Sequence, residues 1–196
     1  MTGAAPYPAF LRLDGKRVLL VGGGAVAARK ARALARCGAR VTLVAPRVGA
    51  AARRAADRVV ERSFRARDLD GAALAVCATD DEALNARVSR LCRRRGVWAN
   101  VVDRPALCDF IVPAVVRRGP LSIAVSTGGA SPFMARRLRR RLESFLTPED
   151  ARLTAALGKL RPRLLEIAVP LRRRVLAGLA ADGAEGAARA IEGGAA

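Results

Sequence analysis

Gly22-x-Gly24-x-x-Ala27 is the spacing with the clearest chemistry in this chain. The first glycine permits a tight turn, the second lets backbone N–H groups approach a phosphate, and Ala27 allows a helix to pack closely on a strand. The uniformly apolar Val18–Val21 precedes the loop, and a helical stretch from Ala25 to Cys37, closed by Gly38, follows it. This is the context a dinucleotide site requires, with Ala25 and Val26 at the helix start where a pyrophosphate would sit. Where an acid would hold the adenosine ribose, the chain reads Val44-Ala45-Pro46-Arg47, so this reading leaves NAD and NADP both open. Thr79 and Asn100 lie at the ends of two further apolar runs, and Asp103 follows the second of them. At the carboxyl edge of a parallel sheet Asp103 is a candidate reacting carboxylate; as a turn residue ahead of Pro105 it needs no such role. Histidine is absent, which excludes Ser-His-Asp and Cys-His nucleophile pairs and His-ligated catalytic zinc.

The elements that position these residues follow from periodicity. Short apolar runs at Val18–Val21, Val41–Val44, Leu74–Ala78 and Val97–Val102 alternate with longer mixed segments ended by glycine, the rhythm of βαβ units. Arg53–Glu61 is weakly patterned. Thr79-Asp80-Asp81-Glu82 starts a helix that ends near Arg95. After Val112 the texture changes: Pro113–Val116 and Leu121–Val125 predict a hairpin around Gly119-Pro120, Ser131-Pro132 starts a helix to Leu146, and Thr147-Pro148 starts another. Pro162 is expected to break that last helix and Pro170 to kink or end the segment after it. From Asp182 onward the Ala/Gly/Glu tail is expected to fray or form a weak helix. The fold class is thus α/β: a Rossmann-like parallel sheet over 1–112, a small β-rich segment over 113–146, and a helical domain over 147–196.

With 196 residues, 52% hydrophobic and 27% charged, the chain has enough apolar surface for a globular core. The net charge of +19 comes almost wholly from arginine, since lysine occurs only as Lys16, Lys30 and Lys159. Such a field favours anionic partners. Only 4% of residues are aromatic, which argues against a base-stacking nucleic-acid module. The four cysteines show no C-x-x-C spacing and read as reduced thiols, no metal site is expected, and no run reaches the ~18 apolar residues of a membrane helix. A cytoplasmic protein that binds neither nucleic acid nor membrane is expected.

Four blocks carry a resemblance: Val18-Leu19-Leu20-Val21-Gly22-Gly23-Gly24-Ala25-Val26-Ala27 with Arg29-Lys30-Ala31, Ala78-Thr79-Asp80-Asp81, Asn100-Val101-Val102-Asp103, and Ser126-Thr127-Gly128-Gly129-Ala130-Ser131-Pro132. In order and spacing, from about Pro8 to about Leu165, they resemble the precorrin-2 dehydrogenase and sirohydrochlorin ferrochelatase module of siroheme synthase. The resemblance implies oxidation of precorrin-2 with NAD as hydride acceptor, ferrous iron insertion in many members, and a homodimer formed through strands after Pro113. It also implies a stand-alone form, without the methyltransferase domain fused in some relatives. It assigns Asp103 as the catalytic residue. Cofactor contacts fall on Gly22, Gly24, Ala25, Val26, Pro46, Arg47, Thr79 and Asn100, and substrate contacts on Ser126, Thr127, Gly128 and Gly129. Two other readings stand beside it: a dinucleotide-sensing basic binding module, and an NADP-dependent reductase of another small acid.

Overall fold

The computed structural model describes residues 5–166, 168–181 and 183; the tail from Asp182 onward falls, apart from Gly183, outside the described residues. The chain forms two compact units that divide between Val112 and Pro113. In the first unit, β1 (Arg17–Val21), β2 (Arg40–Ala45), β3 (Arg58–Glu61), β4 (Leu74–Cys77) and β5 (Trp98–Val101) make one parallel sheet in the order β3-β2-β1-β4-β5. The order reverses between β1 and β4, so the crevice at their carboxyl ends is the natural ligand edge. β1 from Val18 onward and all of β4 are apolar because helices cover both faces: Leu19 and Leu20 are fully buried on opposite sides of the sheet.

On one face α1 (Ala25–Ala35) lays Ala27, Ala28 and Ala31 against Val18, Leu20, Val41 and Leu43. Alanine at these positions lets the helix axis come close to the strands. On the other face α3 (Glu82–Arg94) buries Val88 and Cys92 against Leu19, Val21 and Ala99. Asp81 caps α3 by accepting the Leu84 N–H at 2.9 Å. The weakly patterned 53–61 region becomes the end of α2 (Ala50–Arg53) and the short edge strand β3. Too few residues lie on one face there for a period to show.

The second unit pairs β6 (Ala114–Arg118) with β7 (Leu121–Val125) as an antiparallel hairpin on which α4 (Pro132–Phe145) packs. Ser131 caps α4 through the Met134 N–H at 3.2 Å. A capping box of Thr147 and Asp150 starts α5 (Pro148–Leu165), which is followed by α6 (Val169–Ala181). The hairpin with α4 and the 147–181 helices fall in this one unit. Two proline expectations are corrected. Pro162 lies inside α5 without breaking it, since Leu160 and Leu164 on either side are buried against Leu153, Ala156, Leu157 and Leu176. That burial offsets the hydrogen bond lost at the Gly158 carbonyl. Pro170 stands at the start of α6, where its missing N–H costs nothing.

The 3-10 turn at Ala66–Leu69 is tied to β3 through Asp68, whose buried carboxylate accepts from Arg62 at 2.6 and 2.8 Å and from the Arg65 N–H at 2.7 Å. The Arg62 guanidinium above all holds this carboxyl below the usual range. A depressed native pKa stabilises the fold above the unfolded value of about 3.9, and that stability fades as pH falls further. Urea midpoints should therefore drop for Asp68→Asn at neutral pH and converge with the parent below about pH 3; parallel curves throughout would show that the pair contributes nothing.

Candidate functional site

Three loops meet at the carboxyl edge of the sheet because two glycines let backbone pass through backbone-sized gaps. Gly22 has φ +124°, and a Cβ there would lie 2.2 Å from the Ala78 carbonyl oxygen and 3.4 Å from Thr79 Cγ2. A Cβ on Gly23 would lie 2.0 Å from the Arg47 carbonyl oxygen, and the Gly49 N–H donates to Gly23 O at 3.0 Å. The loops after β1, β2 and β4 are thus locked together, and Gly23, silent in the fingerprint spacing, is as constrained as Gly22. Gly24 differs: a Cβ there meets open space, and it is the N-cap of α1 with no side-chain capping bond. The first N–H groups of α1 are left to a ligand at the positive end of the helix dipole. This cradle, with Ala25 and Val26 exposed at its rim, fits a pyrophosphate, and Pro46 and Arg47 lie exposed at the end of β2 beside it.

Thr79 is fixed rather than free. Its hydroxyl donates to Asn85 Oδ1 at 2.8 Å, and Asn85 Nδ2 donates back to the Thr79 carbonyl at 2.9 Å. Asn85, a buried helix residue, is a support no motif announced. Asn100 is buried at the end of β5 and its Nδ2 donates to the Phe110 carbonyl at 3.0 Å.

Asp103 follows β5 as an exposed residue with φ +56°, the one left-handed non-glycine among the described residues. The turn begins just past the last ladder bond, from the Val102 N–H to the Cys77 carbonyl at 2.9 Å. Lys30, on α1, is half-buried. Burial first and Arg29 second lower its pKa, while Asp103 and Cys108 act to raise it. Helical side chains lean toward the helix N-terminus, so the ammonium is directed to the cofactor edge. The glycine loop, Thr79, Asn100, Asp103 and Lys30 all belong to this unit and its carboxyl edge. No spacing rule pointed to Lys30; only the tertiary fold sets it in the field of Asp103.

Ser126, Thr127, Gly128 and Gly129 belong to the second unit. The Thr127 hydroxyl accepts the Ser131 N–H at 3.0 Å and donates to the Ser131 carbonyl at 3.2 Å, so it is occupied in shaping the start of α4. Ser126 Oγ accepts the Gly128 N–H at 3.2 Å and keeps its own proton to donate. Gly128 and Gly129 both take positive φ, 63° and 88°.

Depressions of about 460 and 290 Å³ lie elsewhere on the first unit. Arg32, Arg36 and Arg54 on the larger one stand at the C-terminal ends of α1 and α2, where a cation complements the helix dipole. The smaller is lined by residues that precede β1 and that precede or open β4 and β5, at the opposite edge from the glycine loop. Open, solvated clefts of this kind are not favoured over the carboxyl edge as a site. Among the described residues no group of three or more His, Cys, Asp or Glu could hold a metal, and no helix is long and apolar enough to cross a membrane.

A parallel sheet in this order with a glycine loop at its switch point defines a Rossmann-type dinucleotide-binding protein. Residues 9–114 match the family described as "Putative NAD(P)-binding" and residues 118–144 the family described as "Sirohaem biosynthesis protein central". The chain belongs to the family described as "Putative NAD(P)-binding", whose match covers more than half of it, with NAD(P) as the cofactor class. It is 44% identical over 171 residues to the siroheme synthase of Pseudomonas paraeruginosa, covering 85% of this chain and 37% of that protein. It is 47% identical over 153 residues to the siroheme synthase of Thioalkalivibrio sulfidiphilus, covering 76% and 31%. The chain therefore spans about a third of these relatives' length. A solved structure titled "SirC, precorrin-2 dehydrogenase" is 28% identical, with a TM-score of 0.72 over 89% of both chains.

The two kinds of glycine separate experimentally. Gly22→Ala or Gly23→Ala should cost about 2 kcal/mol or more, because backbone carbonyls fill the space a methyl needs. Gly24→Ala should leave urea stability within about 0.5 kcal/mol and still weaken NAD binding about tenfold by crowding the pyrophosphate. Calorimetry and denaturation of the three variants check this; equal loss of stability in all three would contradict the assignment of Gly24 to the ligand.

Proposed function

We propose that this chain oxidises precorrin-2 to sirohydrochlorin with NAD. The observation that carries the reading is the likeness to the structure titled "SirC, precorrin-2 dehydrogenase" along nearly the whole of both chains, joined to the position of Asp103 just past β5, on the same sheet edge as the glycine loop that follows β1. When bound, NAD supplies the hydride acceptor. Gly22, Gly24, Ala25 and Val26 would hold its pyrophosphate by backbone, Pro46 and Arg47 would lie toward the adenosine ribose, and Thr79 and Asn100 would line the nicotinamide half. The substrate loses two hydrogens: one leaves as hydride, and the other leaves as a proton that the Asp103 carboxylate takes up. Without a histidine in the sequence, a carboxylate is the natural base for this step.

Precorrin-2 is rich in carboxylates, and this chain is rich in guanidinium groups. Arg136, Arg137, Arg140 and Arg141 on α4 follow the Ser126–Gly129 segment, while Arg139 is engaged by Glu143 at 2.9 Å. The segment's backbone and the Ser126 hydroxyl hold substrate carboxylates, with arginines steering them in. The names of the siroheme synthase relatives favour a second step, ferrous iron insertion, in which Asp103 takes the pyrrole protons. A homodimer fits the β6–β7 hairpin, since α4 packs on it while each strand keeps one edge with no strand beside it among the described residues. A cytoplasmic site of action fits Cys77, Cys92 and Cys108, which stand as thiols.

Anaerobic precorrin-2 supplied to the protein should yield reduced nicotinamide and sirohydrochlorin in equal amounts with NAD, poorly with NADP, and with a KM for precorrin-2 that rises with salt. A folded, dinucleotide-binding protein that gives neither product would overturn the reading and favour a dinucleotide-sensing binding module. A salt-independent KM would remove the arginines from substrate capture.

A further inference from the structure

β5 is an edge strand, and one side of its backbone has no strand beside it. Val102 bonds inward to β4, so Ala99 and Val101 point their N–H and C=O groups outward. Orphaned groups there would cost stability and invite another chain. The chain instead turns through Asp103, makes a short 3-10 turn over Pro105–Leu107, and runs back along the edge. Asp109 satisfies Ala99 from both ends, its Oδ2 accepting the Ala99 N–H at 2.9 Å and its own N–H donating to the Ala99 carbonyl at 2.8 Å. At Val101 the partner is a thiol. Cys108 Sγ accepts the Val101 N–H at 3.2 Å and shares its proton between the Val101 carbonyl at 3.2 Å and the Arg104 carbonyl at 3.3 Å, while Asn100 Nδ2 approaches it at 3.6 Å.

One sulfur therefore grips the backbone two residues before Asp103 and one residue after it. We propose that Cys108 is a positioning residue of the reaction: its thiol latches the left-handed turn that presents the Asp103 carboxylate to the cofactor edge. The proposal rests on the reading of Asp103 as the reacting base. An aspartate held at φ +56° is strained and persists only where its neighbours over-determine it. Burial raises the Cys108 pKa above that of a free thiol, so the donating S–H is present at neutral pH. The other three cysteines are differently placed: Cys77, in β4, and Cys92, in α3, are fully buried in the core against which Cys108 packs, their pKa values pushed up by burial to about 12 and about 11, and Cys37 follows α1.

The test uses the full chain with Cys108→Ala and Cys108→Ser, read in two ways. Amide exchange of the peptide spanning 101–107 should speed up in Cys108→Ala and recover in part in Cys108→Ser, whose hydroxyl donates and accepts but reaches less far. Turnover of precorrin-2 should fall about tenfold or more in Cys108→Ala, as a displaced catalytic group implies, with KM for NAD unchanged and partial rescue by serine. Unchanged exchange would overturn the latch, and faster exchange with unchanged turnover would overturn its role in the reaction. A parent chain that binds NAD and leaves precorrin-2 untouched would instead defeat the dehydrogenase reading, while the exchange comparison still decides the latch. Should alanine unfold the chain, the serine variant carries both readouts.

Discussion

Everything at the carboxyl edge depends on how closely backbone approaches backbone at Gly22 and Gly23. The Ala78 and Arg47 carbonyls occupy the space where side chains would begin, so the loops after β1, β2 and β4 converge on one point. That convergence frees the start of α1, where Gly24 has open space above it and no side chain caps the helix. The alanine face of α1 follows from the same demand, since a bulkier residue at Ala27, Ala28 or Ala31 would lift the helix away from the strands.

A second constraint acts at β5. A parallel sheet that stops at five strands leaves outward-facing backbone groups, and this chain meets them with its own returning loop, through Asp109 and Cys108. Ser89 and Arg93 on α3 hold the same loop from the other side, donating to the Leu107 and Ala106 carbonyls at 2.9 and 3.3 Å. On the proposed reading of Asp103, closing the edge and positioning its carboxylate are one device. Lys30 reaches that device from α1, bringing a half-buried cation into the field of Asp103.

The strands β1, β2, β4 and β5 and the start of α3 were legible because each has a local cause: an unbroken apolar run, or an acid positioned to cap. β3 was not legible, because four residues on a sheet edge carry too little period. Pro162 misled because the cost of a helical proline is local, whereas the burial of Leu160 and Leu164 that offsets it is tertiary. At the site, the glycine spacing and Asp103 stand out as types and positions. Gly23, Asn85, Cys108 and Lys30 do not, since each matters only through a partner distant in sequence or across a turn: Arg47, Thr79, Val101 and Asp103. Thr127 shows the converse, a hydroxyl that reads as a ligand donor and is occupied by the start of its own helix.

The central claim is that this edge performs dehydrogenation with Asp103 as its base, and the most direct measurement compares Asp103→Asn with the parent in anaerobic turnover of precorrin-2 and in NAD binding. The account predicts a loss of turnover of about 100-fold or more, the scale of a missing general base, with NAD affinity unchanged because the cradle around Gly24 is untouched. Near-parental turnover in that variant would contradict the account at its centre.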